Sequence, residues 1–464
     1  MERQINRLFV VFVVLFLALV AQLTYIQVYR ASSLDVHPQN TRALDAQMRI
    51  QRGRIVSSDG VVLADVVSKD PYFARRYAAA NLVSPWIGYA DLRYGKAGVE
   101  RVYNKELSGE SDLLAVRNLI DRLTGKDRRG ADLTVTIDTR IQKAAADALG
   151  SRVGAVVAVD PKTGDVLAMV SYPTFDPQQV GQDWKSLNAD PKRPLVNRAT
   201  QGLYPPGSTF KVVTAGAGLE TGAVTPQTAF VDDGSWVAGG YKVGNFGGAS
   251  YGKHTFAEAF FKSVNTTFAK VGVDVGAQTL AEFAKKAGFD SPIPWPLGGA
   301  VSLFPDPDKM DEAHVAQAAF GQGQVLATPL QMALVAAGVA DSGQIMIPNL
   351  VKEWRDYHGI VLSRPSPKVW RTSISPATAA TLRDLMVQVV ESGTGTAAAI
   401  PGVKVAGKTG TAETATGDTH AWFIGFAPAD DPKIAVAVLV EHGGTGGATA
   451  APIAKATMSA ALGR

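Results

Sequence analysis

From Leu8 to Tyr29 the chain carries no charged residue, and from Leu8 to Ala21 every residue is apolar. A helix of that length spans roughly 30 Å, about the hydrocarbon thickness of a bilayer. Tyr25 and Tyr29 stand near its far end, as interfacial aromatics do. Arg3 and Arg7 precede it, and positive charge there favours an N-terminus kept in the cytoplasm. Leu19-Val20-Ala21 is a poor small-x-small cleavage site, and the apolar run continues past it. The segment therefore reads as an uncleaved signal anchor. The expected layout is a cytoplasmic tail at 1–7, one transmembrane anchor at 8–29 and an extracytoplasmic remainder held at the cytoplasmic membrane. ATP-dependent chemistry is disfavoured on that side.

The rest of the 464 residues is long enough for two to three domains. Net charge is only +4, from 46 basic and 42 acidic residues, with no clustered basic stripe, which argues against a nucleic-acid partner. The absence of cysteine excludes disulfides, thiolate metal sites and a cysteine nucleophile. His37, His254, His314, His358, His420 and His442 are too scattered for an H-x-x-x-H zinc pair, so no metal and no cofactor is expected.

Residues 30–131 are arginine-rich with weak periodicity. Arg52-Gly53-Arg54-Ile55-Val56, then Asp59-Gly60, then Val61-Val62-Leu63-Ala64 predicts two short strands about an Asp-Gly turn. Nothing there points to catalysis, and the region reads as a pedestal. The second domain is expected over 132–464. Leu133 to Ile137 is β-rich, and Thr139 to Leu149 places Ile141, Ala144, Ala145 and Leu149 on one helical face. Gly154–Val159 and Asp165–Val170 predict strands about the turn Asp160-Pro161-Lys162-Thr163-Gly164. Two more strands are expected over His420–Phe426 and Ile434–Glu441, and a closing helix over Ala450–Leu462. Strands at both ends of a helix-rich middle predict an α+β domain, with a sheet assembled from distant segments.

Three short motifs carry chemistry, and each has a decoy. Tyr204-Pro205-Pro206-Gly207-Ser208-Thr209-Phe210-Lys211 places Ser208 at the start of a helix, where free N–H groups and the dipole favour developing negative charge. Lys211, three residues on, shares its face. It can take a serine proton only if burial or nearby positive charge destabilises its ammonium. Ser250-Tyr251-Gly252-Lys253 has the same spacing inside a Gly-rich turn. Ser263-Val264-Asn265 follows a helix opened by Thr255 and Glu258 at capping-box spacing, and its two polar side chains can point the same way. Its decoy is Ser186-Leu187-Asn188 in a polar, loop-like stretch. Lys408-Thr409-Gly410-Thr411 follows a strand-like run, so that Lys408 can offer a cation, and Thr409 and Thr411 hydroxyls, to a carboxylate. Gly410 permits close backbone approach. Lys162-Thr163-Gly164, the last decoy, is accounted for by its turn.

S-x-x-K, S-x-N and K-T-G in this order and in these settings resemble the class B, transpeptidase-only penicillin-binding proteins; the combination of S-x-x-K with K-T-G is a known signature of that group. Flanking phrases also match, among them Gly154 to Met169, Asn197-Arg198, Gly321-Gln322-Gly323, Thr328 to Ala333 and Gly393-Thr394-Gly395-Thr396. The resemblance implies a penicillin-binding and serine β-lactamase-like fold, an antiparallel sheet with helices packed on it, above a pedestal too short for a glycosyltransferase domain. It implies that Ser208 attacks the carbonyl between two D-alanines, Lys211 takes its proton, and Ser263 relays a proton toward the leaving amine. Asn265 would hydrogen-bond the peptide, Lys408, Thr409 and Thr411 would hold the terminal carboxylate, and the backbone N–H groups of Ser208 and Thr411 would form an oxyanion hole. Peptidoglycan stem peptides, β-lactams, the membrane and proteins of division or wall synthesis are the implied partners. A D,D-carboxypeptidase or β-lactamase-like hydrolase uses the same motifs and stays open, as does a non-catalytic division scaffold or β-lactam sensor.

Overall fold

The computed structural model describes residues 2–29, 48–114, 128–414 and 417–464, with 117, 121 and 123 between them. The expectations for residues 30–47 lie outside these. The apolar N-terminal segment begins as helix α1 (Glu2–Thr24) and runs through a π-helical turn at Tyr25–Tyr29. It is exposed along its length, and long and apolar enough to cross a membrane.

The pedestal opens with β1 (Ile55–Val56), β2 (Val62–Lys69) and β3 (Tyr72–Tyr77). Strands β1 and β2 pair antiparallel about the Asp59-Gly60 turn, as the pattern predicts. Arg52 and Arg75 both close on the buried Glu100 carboxylate, at 2.6 and 2.5 Å, and a Cβ at Gly53 would fall 1.8 Å from the Ala131 carbonyl oxygen. The Arg-Gly-Arg phrase is therefore architectural.

Strand β4 (Asp132–Val135) and helix α2 (Thr139–Leu149) follow, then β5 (Gly154–Val159) and β6 (Val166–Tyr172). Helix α3 (Lys211–Glu220) is entered through a 3₁₀ turn at Gly207–Thr209. The middle of the domain holds β7 (Ala229–Asp232), β8 (Ser235–Ala238), β9 (Tyr241–Gly244), β10 (Gly252–Thr255), α4 (Phe256–Lys262), α5 (Asn265–Val275) and α6 (Pro329–Ala340). The capping box expected from Thr255 and Glu258 closes the start of α4. Strands β11 (Val351–Arg355) and β12 (Val361–Ser363), helix α7 (Pro376–Glu391), strands β13 (Ala406–Glu413), β14 (Thr419–Ala427) and β15 (Ile434–Val440), and helix α8 (Ala451–Ala461) complete the chain.

The central sheet is antiparallel, in the order β13-β14-β15-β5-β6. Both faces are covered, so β5 and β15 are apolar and buried at every position. Val156, Ala158, Val436 and Val438 pack toward α2 and α8, while Val157, Val159, Ala437 and Leu439 pack toward α6. The α+β expectation holds, with the sheet built from the two ends of the domain.

One sheet crosses the expected boundary at 131/132. The pedestal sheet runs β12-β11-β4-β1-β2-β3, so residues 132–135 and 351–363 complete it. Ile55 pairs in parallel with Leu133, and Trp354 pairs antiparallel with the same residue.

Candidate active site

The segment bearing Ser208 is pinned from several sides. Tyr204 exchanges backbone hydrogen bonds with Ala327, Gly207 N donates to the Gly321 carbonyl at 2.9 Å, and Trp422 Nε1 on β14 donates to the Pro205 carbonyl at 2.9 Å. The Tyr204 hydroxyl and Arg198 Nε both donate to Glu441 Oε1 at 2.7 Å, tying the segment to the end of β15. Thr209 N and Phe210 N close the 3₁₀ turn on the carbonyls of Pro206 and Gly207, leaving Ser208 N–H outside the turn's own bonds. Ser208 is half-buried and lines a cleft of about 940 Å³, together with Ser263, Asn265, Thr409 and Thr411.

Lys211, the first residue of α3, is fully buried. Its Nζ donates to the Ser263 carbonyl and to Asn265 Oδ1, each at 2.7 Å, and to Ser263 Oγ at 3.3 Å. Among the described residues it makes no hydrogen bond to Ser208, although the S-x-x-K spacing predicts that pair. Burial, and then the charge of Lys408, holds its amine well below the ordinary lysine range.

Ser263 is the left-handed C-cap of α4, with φ 61°, a conformation that favours glycine. Its hydroxyl also accepts from Lys408 Nζ at 2.8 Å, so it stands between two lysine side-chain nitrogens. Lys408 meets the cleft from behind its wall. Side chains alternate along a strand, and Thr409, Thr411 and Glu413 share the face that lines the cleft. Lys408 lies on the opposite face, fully buried, bonded to Ser263 Oγ and to the Thr409 carbonyl at 3.1 Å. Its charge reaches the cleft through Ser263, and burial pushes its pKa down to about 7. Gly410 also serves the chain itself, since a Cβ there would lie 3.0 Å from the Pro206 carbonyl oxygen and 2.9 Å from Thr209 Cγ2. The backbone that approaches it is the turn that carries Ser208.

Two cleft contributors fall outside the three motifs. Thr394 Oγ1 lies 2.6 Å from Thr409 Oγ1, and the Gly-Thr-Gly-Thr phrase around it was its visible signal. Asn245 accepts from the backbone N–H groups of Asn265 and Thr266. It lies in a glycine-rich stretch without periodicity, and no local pattern marks it. The decoys stay apart from the cleft chemistry. Ser250 bonds the Asp232 carbonyl, and Lys162 pairs with Asp431. Ser186-Leu187-Asn188 lies in a helix, Val180–Ala189, not a loop. Trp184 and Leu187 there pack on the Tyr89 and Phe175 cluster, a tertiary contact that the polar local sequence does not show.

Comparison with known proteins agrees with this geometry. Residues 154–459 match the penicillin binding protein transpeptidase domain, and residues 52–133 the penicillin binding protein A dimerisation domain. The chain is 40% identical, over 100% of its length and 99% of the relative's, to the peptidoglycan D,D-transpeptidase PbpA of Mycolicibacterium smegmatis. It is 39% identical to PbpA of Mycobacterium tuberculosis over the same shares. A solved structure of penicillin-binding protein A from M. tuberculosis, as a ceftriaxone acyl-enzyme complex, superposes with a TM-score of 0.86 at 40% identity, covering 90% of this chain and 100% of that one. The penicillin G acyl-enzyme complex gives 0.84 at 39% identity, over 89% and 99%. Length and opening segment already resemble actinobacterial penicillin-binding protein A. The chain thus belongs to the penicillin-binding proteins, with the transpeptidase domain and the dimerisation domain of the penicillin-binding protein A type.

Proposed function

We propose that this chain is a membrane-anchored peptidoglycan D,D-transpeptidase that works through an acyl-enzyme on Ser208, is acylated by β-lactams, and serves wall synthesis at division. The observation that carries the mechanism is the line of groups Lys211, Ser263 and Lys408 behind a serine in an open cleft. Neutral Lys211 accepts the Ser208 proton as Oγ attacks the carbonyl carbon between two D-alanines. The C–N bond then breaks as Ser263 gives its proton to the departing amine and is resupplied from the adjacent lysines. The oxyanion is held by N–H groups of Ser208 and Thr411, the latter on the sheet's edge strand; losing one such donor costs roughly a hundred- to thousandfold in rate. Thr409 and Thr411 hydroxyls, backed by the Lys408 charge, suit the terminal carboxylate, and Asn265 suits a peptide amide. A second peptide's amine attacks the ester, Oγ recovers its proton, and a cross-link results. The PbpA relatives, named as D,D-transpeptidases, and the acyl-enzyme complexes of a structural relative support this reading. Arg3 and Arg7 support a cytoplasmic N-terminus and an extracytoplasmic catalytic domain. Peptidoglycan stem peptides and wall-synthesis proteins are the proposed partners.

The test is intact-mass spectrometry with benzylpenicillin, with peptide mapping. A long-lived adduct on Ser208 is expected, and none on Ser208→Ala at unchanged melting temperature. An adduct lost within seconds would instead identify a hydrolase. A stable Ser208→Ala protein that still acylates would remove Ser208 from the mechanism.

A further inference from the structure

We propose that Asn245, held in place by Asp232, is a positioning residue for the Lys211 amine. Asn245 follows β9 and is 7% exposed. Its Oδ1 accepts from the backbone N–H groups of Asn265 at 2.9 Å and Thr266 at 3.2 Å. These amides open α5, whose N-cap Val264 offers no side-chain oxygen, so the cap comes from a segment twenty residues away in sequence. The neighbouring Gly244 carbonyl accepts Asn265 Nδ2 at 3.0 Å. Residues 244 and 245 thus grip Asn265 by its backbone and by its amide. With Nδ2 turned to Gly244, Oδ1 faces Lys211 Nζ at 2.7 Å. A half-turn of that amide would bring its NH₂ against the ammonium.

Asn245 is itself fixed. Its Nδ2 donates to Asp232 Oδ2 at 2.8 Å and to the Ala249 carbonyl at 2.9 Å. Asp232, 1% exposed, also accepts from Tyr251 N at 2.9 Å, Gly234 N at 3.1 Å and Thr266 Oγ1 at 2.7 Å. The bonds to Gly234, Ala249 and Tyr251 stay within the segment between β7 and β10. The bonds from Asn245 to α5 and from Thr266 to Asp232 leave the loop and run to the helix that carries Asn265. The same loop presents Tyr241, Lys242 and Phe246 to the cleft, so a ligand pressing on that wall acts on the segment that orients Asn265.

The proposal rests on Lys211 as the base for Ser208, and is tested on the full chain in detergent by acylation with benzylpenicillin across pH, with melting temperature alongside. Asn245→Ala frees Asn265, so the Lys211 ammonium loses a fixed acceptor. The expected result is a maximal acylation rate lowered roughly tenfold or more, with the acid limb of the profile moved to lower pH. Asn245→Asp sets a second carboxylate against Asp232 Oδ2 and against the Ala249 carbonyl, and falls similarly. A wild-type limb and rate in Asn245→Ala, or a lowered rate whose limb does not move, would reduce Asn245 to a loop-closing role and overturn the proposal. A wild-type chain that forms no adduct on Ser208 would overturn the functional reading itself, and this inference with it.

Discussion

Ser263 holds a left-handed backbone at the end of α4, where an L-residue costs roughly 1–2 kcal/mol relative to a right-handed one. Its retention at a glycine position is explained by its hydroxyl, which links Lys408 to Lys211. Ser263→Gly is therefore expected to keep a melting temperature close to wild type and to lower acylation by about a hundredfold or more, the range of a lost proton-transfer group. Acylation at the wild-type rate would show that protons take another route. Lys408 carries a second consequence. Its folded pKa, about 7, lies below the ordinary 10.5. Between those values the unfolded chain binds a proton that the folded chain does not, so this group's contribution to stability rises with pH across that window. Below pH 7 its full cost remains. Lys408→Met removes that cost and is expected to melt higher than wild type near neutral pH, with the difference shrinking as pH approaches 10.5. Removing the Lys408 charge also raises the Lys211 pKa, so the acid limb of the residual acylation moves to higher pH. A limb that stays put would show that Lys408 does not tune Lys211.

At the scale of elements, the turn that carries Ser208 and β13 are fitted against each other through Gly410. A methyl group there meets the Pro206 carbonyl, Thr209 and the Trp422 Cβ, of which the first is backbone and cannot turn aside. Gly410→Ala is expected to destabilise by about 1–3 kcal/mol, the usual range for overpacking. It should also slow acylation at least tenfold by separating Thr411 from Ser208; denaturant melts and adduct kinetics on one preparation measure both. An unchanged acylation rate would mean that the turn and the strand act independently. Elements such as α2, β5, β6 and the capped start of α4 were legible because a single stretch of sequence carries the whole signal, whether helical spacing, alternation about a turn or a Thr-x-x-Glu pair. The face on which Lys408 lies was not legible from the motif. It depends on which side of β13 meets the cleft, and that follows from the packing of α7 against β13. Asn245 was hidden for a related reason: its partners are Asp232 and the start of α5, and no periodicity records contacts between segments so far apart.

For the whole molecule, two domains seemed separable at 131/132 because the β-rich run at Leu133 looks like a fresh start. Long-range pairing joins the two across that point. Strand β4 lies between β1 and β11, and Arg54 pairs with Asp132 at 2.6 Å across the expected boundary. Ile55, Leu63, Leu107, Leu133, Val135, Val351 and Trp354 belong to one continuous core with the centre of the catalytic domain. Tyr103 packs edge-on against Trp354 at 5.5 Å. A fragment of residues 132–464 would leave Leu133, Val351 and Trp354 uncovered and give β4 an unpaired edge where β1 belongs, the kind of exposed strand that templates aggregation. Burying each such large side chain stabilises by roughly 1.5–3 kcal/mol, a large share of a typical domain's margin. The fragment 132–464 is therefore expected to aggregate or to melt well below a fragment of residues 48–464, which keeps both halves of the sheet and should remain monodisperse and react with benzylpenicillin at Ser208. Gel filtration and melting curves of the two distinguish the cases. Equal stability would mean that the shared sheet contributes little, and that the pedestal is an appendage of the catalytic domain rather than part of its fold.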